Sequence, residues 1–214
     1  MKIESINIAQ KEKINYAGKL IETGIFKMPI SNRVSVTKLG IEGDNIVDMS
    51  VHGGVDQAIY LYGLADYEWW SNELGKTIPP GTFGENLTVS EFGTETLVIG
   101  DRLSINNVLL EISAPRTPCF KLAARMGNPE FLKSFVKAVK PGAYARVINE
   151  GKICIGDEVD LIKTNYDYSS INDVFVEWHS NDRSISVLRK ALDSPIAGYH
   201  KAVMQEWYDE KVNN

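Results

Sequence analysis

The stretch that decides the fold is residues 109–122, which read LLEISAPRTPCFKL. Its first part, Leu109–Ser113, is predicted to be a strand. Pro115 and Pro118 then fix a rigid bend, because each proline ring locks its own backbone φ angle. Cys119 falls at or near the start of a helix predicted over Phe120–Met126. The stretch therefore predicts a strand-to-helix bend that presents one cysteine.

Outward from this stretch, the chain up to about Lys163 consists of short β-branched runs separated by Gly, Pro, Asn and Asp, a pattern typical of many short strands and tight turns. The other predicted strands are Ile3–Ala9, Val34–Lys38, Asn86–Val89, Thr96–Ile99, Arg102–Ile105, Ala145–Ile148 and Glu158–Ile162. Two more helices are predicted, Leu64–Leu74 and Pro129–Val136, the second with Asn128 as its cap. We predict a β-rich α+β fold, a β-barrel with peripheral helices, over residues 1–163.

The sequence pattern changes after residue 163, where strand-like runs stop and three helical segments follow. Ser170 with Asp173 three residues later approximates a capping box, and Ser194 followed by Pro195 suits the start of another helix. Trp178, Leu188 and other apolar residues can supply a shared buried face. We predict a small C-terminal three-helix domain over residues 164–214.

Composition narrows the function. The 214 residues include 23 basic and 28 acidic side chains, a formal charge of −5, without a basic stripe that would neutralise a phosphate backbone. Nucleic acid is therefore not an expected partner. The N-terminal residues alternate like a strand, and no run of 18 apolar residues follows. We expect a cytoplasmic protein with no membrane partner.

The sequence holds two cysteines, too few for a disulfide framework. Arg116 and Lys121 flank Cys119, and cations near a helix N-terminus favour a thiolate, the ligand of a thiophilic metal. The competing interpretation is a buried, inert cysteine. Cys154 lies among alternating apolar residues without such cations, and we predict that it packs in the core.

Two glycine-rich segments are further candidates for ligand contact. In residues 43–56, adjacent glycines at 53 and 54 let the backbone approach a ligand, with His52 beside them. In residues 80–87, the amide of Asn86 can both donate and accept hydrogen bonds. The alternative for each segment is an ordinary turn, which glycine clusters most often mark.

Three segments in this order resemble the signature segments of the MOSC domain: Val51-His52-Gly53-Gly54, Phe83-Gly84-Glu85-Asn86-Leu87 and residues 115–122. Supporting matches include residues 27–30, 39–44, 142–147 and 156–157. The resemblance covers Ile3 to Ile162, and the remainder is similar to the three-helix domain that follows MOSC in YiiM-like bacterial proteins. One departure is Ala143, where relatives often carry a larger aromatic residue.

The resemblance implies a barrel that binds the pterin-based molybdenum cofactor, with Cys119 coordinating molybdenum. It also implies that three cations neutralise the cofactor phosphate or pterin and that three further residues line the pocket. The cations are Lys27, Arg116 and Lys121, and the lining residues are His52, Gly53 and Asn86.

Members of the family reduce N-hydroxylated compounds, including hydroxylaminopurine-type base analogues, with electrons from a separate flavin-containing reductase. Cleaving an N–O bond with two electrons needs a redox cofactor, and a nearby proton donor, for which His52 or Asp56 is a candidate. The alternative is a binding protein that carries the cofactor or sulfur without turnover. The C-terminal helices are candidates to dock the reductase or to form a homodimer.

Overall fold

The protein is described by a computed structural model over residues 1–16, 18–47, 53–92 and 97–213. Thirteen strands, β1 to β13, follow in chain order: Ile3–Ala9, Glu12–Tyr16, Lys19–Thr23, Lys27–Ile30, Val34–Thr37, Gly40–Ile41, Ile59–Gly63, Leu87–Val89, Arg102–Ile105, Val108–Pro115, Ala143–Asn149, Gly151–Ile153 and Asp160–Ile162. Six α-helices, α1 to α6, are Leu64–Leu74, Phe120–Met126, Phe131–Ala138, Ile171–His179, Ile185–Leu192 and Gly198–Asn213. These elements confirm the predicted sheet-rich α+β class.

Eight of the strands form one mixed sheet in the order β13-β9-β10-β11-β7-β8-β1-β4. The sheet is open between β13 and β4, but the chain just before β13 is bonded to the start of β1. The Ile3 N–H donates to the Asp157 carbonyl at 3.0 Å, and the Gly156 N–H donates to the Ile3 carbonyl at 2.8 Å. These bonds join the segment before β13 to β1, so the open sheet curves toward the predicted barrel.

The core lies inside this curled sheet and continues under the helices. In β10, Ile112 is fully buried opposite Ala145 of β11. A second, aromatic cluster fills the space between the sheet, α1 and α3, where the Trp70 indole N–H donates to the Tyr62 hydroxyl at 2.8 Å and Phe83 stacks on Tyr62. Burial of each large apolar side chain stabilises the fold by about 1.5–3 kcal/mol.

The helices of the first 163 residues follow the sequence pattern closely. α1 and α2 begin and end at the predicted residues, and α3 is displaced by two residues toward the C-terminus. The prediction that Asn128 caps α3 is wrong, because the N-cap residue is Glu130. The Asn128 side chain instead accepts a hydrogen bond from the Glu130 N–H at 3.0 Å, which forms a turn ahead of the helix.

Of the two helix starts predicted in the C-terminal region, one is correct and one is wrong. At α4, the Asp173 N–H donates to the Ser170 hydroxyl at 3.0 Å and the Asp173 carboxylate accepts from the Ser170 N–H, a complete capping box. The expected helix start at Ser194 is wrong, because the Ser194 hydroxyl donates back to the Ala191 carbonyl at 2.6 Å. α6 begins only at Gly198.

The start of α6 is bonded to the sheet domain. The Ala197 N–H donates to the Ser113 carbonyl at 2.9 Å, and the Gly198 N–H donates to Asp56 at 2.8 Å. The start of α6 therefore lies directly against β10. The proposed boundary between residues 163 and 164 stays a prediction.

Among the predicted strands, Thr96–Ile99 has no counterpart in the described part of the chain. Thr96 itself lies outside the described residues, and residues 97–99 form no strand, although Val98 makes an isolated bridge to Ser170.

Of the helices that the structure describes, none is both long enough and apolar enough to span a lipid bilayer.

Candidate functional site

A cavity lies where the 23–27 segment, the residues that follow β6, the bend after β10 and the start of α2 meet. Its walls include Lys27, Asn86, Arg116, Cys119, Lys121 and Tyr144, and its volume is about 80 Å³. This volume suits several water molecules rather than a whole drug-sized ligand. A larger ligand would therefore place one end in the cavity.

Cys119 reaches the cavity because of the bend that follows β10. β10 ends at Pro115, and Cys119 is the N-cap residue of α2 with extended backbone angles, φ −130° and ψ 170°. Its carbonyl already accepts the Leu122 N–H at 2.9 Å, so the helix is joined directly to the cysteine. Neither this cysteine nor Cys154, both described, forms a disulfide.

Arg116 supplies a buried positive charge to the same cavity. Only 5% of its surface is exposed, and its guanidinium carbon lies 5.5 Å from the ring centroid of Tyr60 and 5.6 Å from that of Phe135. Its Nη1 atom is buried without a hydrogen-bond partner among the described residues. A guanidinium stays protonated in proteins, and such a charge is costly to bury unpaired. The cavity is therefore suited to an anion.

Lys121 is the second residue of α2 and also lines the cavity. It is largely buried, with 8% of its surface exposed. Arg116, Cys119 and Lys121 thus lie together, as the sequence predicted for a thiolate with cationic neighbours. Whether they hold a cofactor stays a prediction.

Lys27 differs from these two cations because its charge is already paired. Its Nζ donates to Asp44 Oδ2, and the same oxygen accepts from Asn86 Nδ2 at 2.8 Å. The other Asp44 oxygen accepts the Ala9 N–H at 2.8 Å. Burial lowers the pKa of Lys27, while the adjacent Asp44 carboxylate opposes that shift.

The amide of Asn86 is occupied within the protein. Besides donating to Asp44, it accepts the Tyr60 N–H at 3.2 Å through its oxygen. Both ends of the amide therefore join neighbouring elements of the cavity wall, although the residue does line the cavity as the sequence suggested.

Two glycines allow the backbone to close around this site. A Cβ at Gly24 would lie 1.9 Å from the Asn45 carbonyl oxygen. Gly81 has φ +83°, and a Cβ there would lie 2.6 Å from the carbonyl oxygen of Lys27. Any larger residue at either position would push these segments apart.

A fully buried glutamate lies behind the cavity wall. Glu85 Oε1 accepts from the Tyr67 hydroxyl at 2.6 Å, the Gly81 N–H at 2.6 Å and the Thr88 hydroxyl at 2.7 Å. Burial raises its pKa, although these donors oppose the rise. Glu85 therefore ties the 80–87 segment to α1.

The other predicted site residues lie apart from Cys119 or outside the described chain. His52 is among the residues that the structure does not describe. Gly53 and Asp56 are not among the residues that line the cavity. Asp56 is bonded instead to Arg146, at 2.9 Å, and to the N–H of Gly198 at the start of α6.

Sequence reasoning missed Tyr60 and Tyr144, whose rings form part of the cavity wall. Their rings lie 5.1 Å apart, and burial raises the pKa of both phenols, which keeps them neutral. Tyr60 follows no motif and reaches the site only because β7 pairs with β11. For Tyr144 the sequence contained one indication, its place in residues 142–147, a segment that supports the family resemblance.

The predicted core position of Cys154 is wrong. Its thiol donates to Asp157 Oδ1 at 3.2 Å, and Arg33 approaches the sulfur at 3.6 Å. The side chain is only partly buried, in a turn at the surface rather than between apolar residues. In the described part of the chain, no group of three or more His, Cys, Asp or Glu side chains is arranged to hold a metal ion.

The curled mixed sheet and the cavity lined by Arg116, Lys121 and Cys119 define an α+β protein with a cationic site beside a cysteine. A family model for the MOSC domain matches residues 48–160, more than half of the chain. The chain therefore belongs to the MOSC-domain family.

Individual relatives agree with this assignment. YflK of Bacillus subtilis, an uncharacterized protein, is 35% identical over 158 residues, which cover 74% of this chain and 72% of YflK. A protein of Gibberella moniliformis named a reductase is 30% identical over 197 residues, 88% of this chain but only 34% of that longer protein. The crystal structure of YiiM from Geobacillus stearothermophilus superposes with a TM-score of 0.80 at 25% identity, covering 97% of this chain and 98% of that one.

Proposed function

We propose that this protein binds the molybdenum cofactor and reduces N-hydroxylated compounds, such as hydroxylaminopurine-type base analogues. The observation that carries the proposal is the buried, unpartnered Nη1 of Arg116, which lines the same cavity as Cys119. An anionic group bound through a thiophilic metal would satisfy the guanidinium and use the Cys119 thiolate at once. MOSC domains in general are associated with this cofactor, and one relative is named a reductase.

The residues present fit such a group. Cys119 would supply the metal ligand, and Arg116 and Lys121 would pair with the negative charge of the phosphate or pterin substituents. Lys27, the third cation that the family resemblance suggests, is already neutralised by Asp44. When bound, the cofactor would supply the two-electron chemistry that side chains lack.

The overall reaction consumes two electrons and two protons. An N–O bond breaks, the nitrogen becomes an amine and the oxygen leaves as water. The described residues include no cysteine cluster for an iron–sulfur centre. As the family resemblance implies, we include a flavin-containing reductase as the separate electron donor and an N-hydroxylated small molecule as the substrate.

The experiment uses protein expressed in cells that make the cofactor, supplied with reduced methyl viologen as an artificial donor. An enzyme should oxidise viologen only after an N-hydroxylated purine is added, and the matching aminopurine should accumulate with the same stoichiometry. Protein that holds molybdenum, yet passes it to an apo-acceptor and reduces no N-hydroxylated compound, would instead identify a cofactor carrier.

A further inference from the structure

The proposed reduction needs a proton donor at the cavity, since the departing oxygen must be protonated as the N–O bond breaks. Of the two candidates from sequence, Asp56 does not line the cavity and is held by Arg146 and the Gly198 N–H, and His52 lies outside the described residues. Arg116 cannot release its proton. The Tyr60 hydroxyl donates to the Pro141 carbonyl at 2.8 Å.

We propose that Lys27 is the general acid of this site and that Asp44 positions its ammonium group toward the cavity. This inference rests on the proposed function. Nζ of Lys27 would give a proton to the substrate oxygen as that oxygen leaves as water. The two electrons come from the external flavin donor or from viologen, the second proton adds to nitrogen from solvent, and solvent then reprotonates Lys27.

The ion pair with Asp44 fixes the Lys27 side chain but uses only one N–H of its ammonium group. Lys27 lines the cavity, and among the described residues its Nζ donates only to Asp44, so two of its three N–H bonds are not used there. Asp44 is itself fixed by Asn86 and by the Ala9 N–H. The ammonium group is therefore aimed by a carboxylate that cannot move independently.

The backbone of Lys27 is fixed as well. It is the first residue of β4, paired with Ala9 of β1, and its carbonyl oxygen lies against Gly81. The Arg125 guanidinium also approaches that oxygen, at 3.5 Å. A general acid must be held in place relative to its substrate, and these contacts do so for Lys27.

The charges around Lys27 make proton release easier than from a surface lysine. Burial lowers its pKa, and the carboxyl groups of Asp44 and, farther away, Glu85 act in the opposite direction. The cations of the same cavity, Arg116 and Lys121, add no counter-charge. After release, neutral Lys27 remains a hydrogen-bond donor to Asp44, so the site keeps its shape.

The test compares Lys27→Met and Lys27→Arg with wild type as cofactor-loaded protein, measuring molybdenum content and the pH dependence of kcat with reduced viologen. We expect both variants to retain molybdenum and to lose activity about 100-fold or more, the usual contribution of general acid catalysis. Wild-type kcat should fall on the alkaline side, and that fall should be absent from both variants. Lys152→Met, which changes an exposed lysine, is the matched control.

Asp44→Asn provides an independent readout. Because the Asp44 carboxylate raises the pKa of Lys27, its removal should move the alkaline fall of kcat to lower pH. A Lys27→Met protein as active as wild type, or one that loses its molybdenum, would overturn the assignment while leaving the proposed function intact. Wild-type protein that holds molybdenum but reduces no N-hydroxylated compound would overturn both.

Discussion

Two regions of the molecule each bury at least one side-chain nitrogen without a hydrogen-bond partner in the described structure, and the surroundings of the two nitrogens differ. Arg116 lies in the wall of the cavity beside Cys119, whereas His200 lies within α6, with its ring 4.6 Å from that of Trp178. Burial lowers the pKa of His200 to about 4, so the imidazole is neutral at pH 7. The Arg116 guanidinium, in contrast, cannot lose its proton at this pH and stays charged. The unpartnered guanidinium nitrogen of Arg116 therefore lies at a cavity that a ligand can enter, whereas the neutral imidazole of His200 is packed against an aromatic ring.

Lys27 is a third case, a buried cation with a partner. Its ion pair with Asp44 is almost fully enclosed, with side-chain exposures of 8% and 2%. Such a pair adds little net stability, but the loss of either member leaves an uncompensated charge. The three cases make predictions that differ in size and sign.

The largest effect is expected from creating a new unpaired charge. Asp44→Asn leaves the Lys27 ammonium buried without its carboxylate, and should lower the free energy of unfolding by about 3–5 kcal/mol at pH 7. Urea unfolding of the cofactor-free protein measures this change. The double variant Lys27→Met/Asp44→Asn should recover most of the loss, because no charge remains to be buried. Equal instability of the single and double variants would contradict the argument.

The second prediction concerns the pH dependence of stability at His200. In the unfolded chain its pKa is 6.5, and in the folded protein it is about 4. Between these values the unfolded state binds more protons, so the free energy of unfolding should decrease as pH falls from 6.5 toward 4, by about 3 kcal/mol from this residue.

His200→Phe should remove that part of the slope while leaving stability at pH 7 nearly unchanged. Thermal unfolding at several pH values is the measurement. The matched control is His179→Gln, which alters the exposed histidine of α4 and should keep most of the wild-type slope. A His200→Phe protein with the full slope would show that other groups cause it.

The smallest effect, and the one with the opposite sign, is expected at Arg116. Arg116→Met keeps the apolar stem between Tyr60 and Phe135 but removes the buried charge and its unpartnered Nη1, so the cofactor-free protein should gain about 1 kcal/mol. Chemical denaturation compares it with Arg125→Met, whose cation lies over Phe26 at the half-buried edge of the site and should change little. A large loss of stability in Arg116→Met would mean that the arginine is a structural element rather than a ligand-binding one.

Local sequence signals were sufficient for some elements but not for others. β1, α1 and α2 have the bounds that the pattern predicts, since alternation or helical spacing and a clear turn or glycine mark their ends. The β2–β3 hairpin was missed because its strands are mostly exposed and show no apolar face. β7 was missed because Ile59–Gly63 is buried along its whole length and lacks alternation.

The candidate site was predictable where its residues are neighbours in the chain. Arg116, Cys119 and Lys121 come from one bend, so their proximity follows from their spacing in the sequence. The pairing of Lys27 with Asp44 does not, because it depends on how β4 and the 41–44 turn meet across β1. The cavity walls from Tyr60 and Tyr144 likewise depend on the register between β7 and β11.

The central claim is that Cys119 holds molybdenum in a cationic cavity, and elemental analysis tests it most directly. Wild type, Cys119→Ser and Cys154→Ser are purified from cells that make the cofactor. We predict about one molybdenum per chain in wild type and Cys154→Ser, and loss of the metal in Cys119→Ser, because a hydroxyl does not replace a soft thiolate. Molybdenum retained in Cys119→Ser, or absent from all three well-folded proteins, would contradict the account.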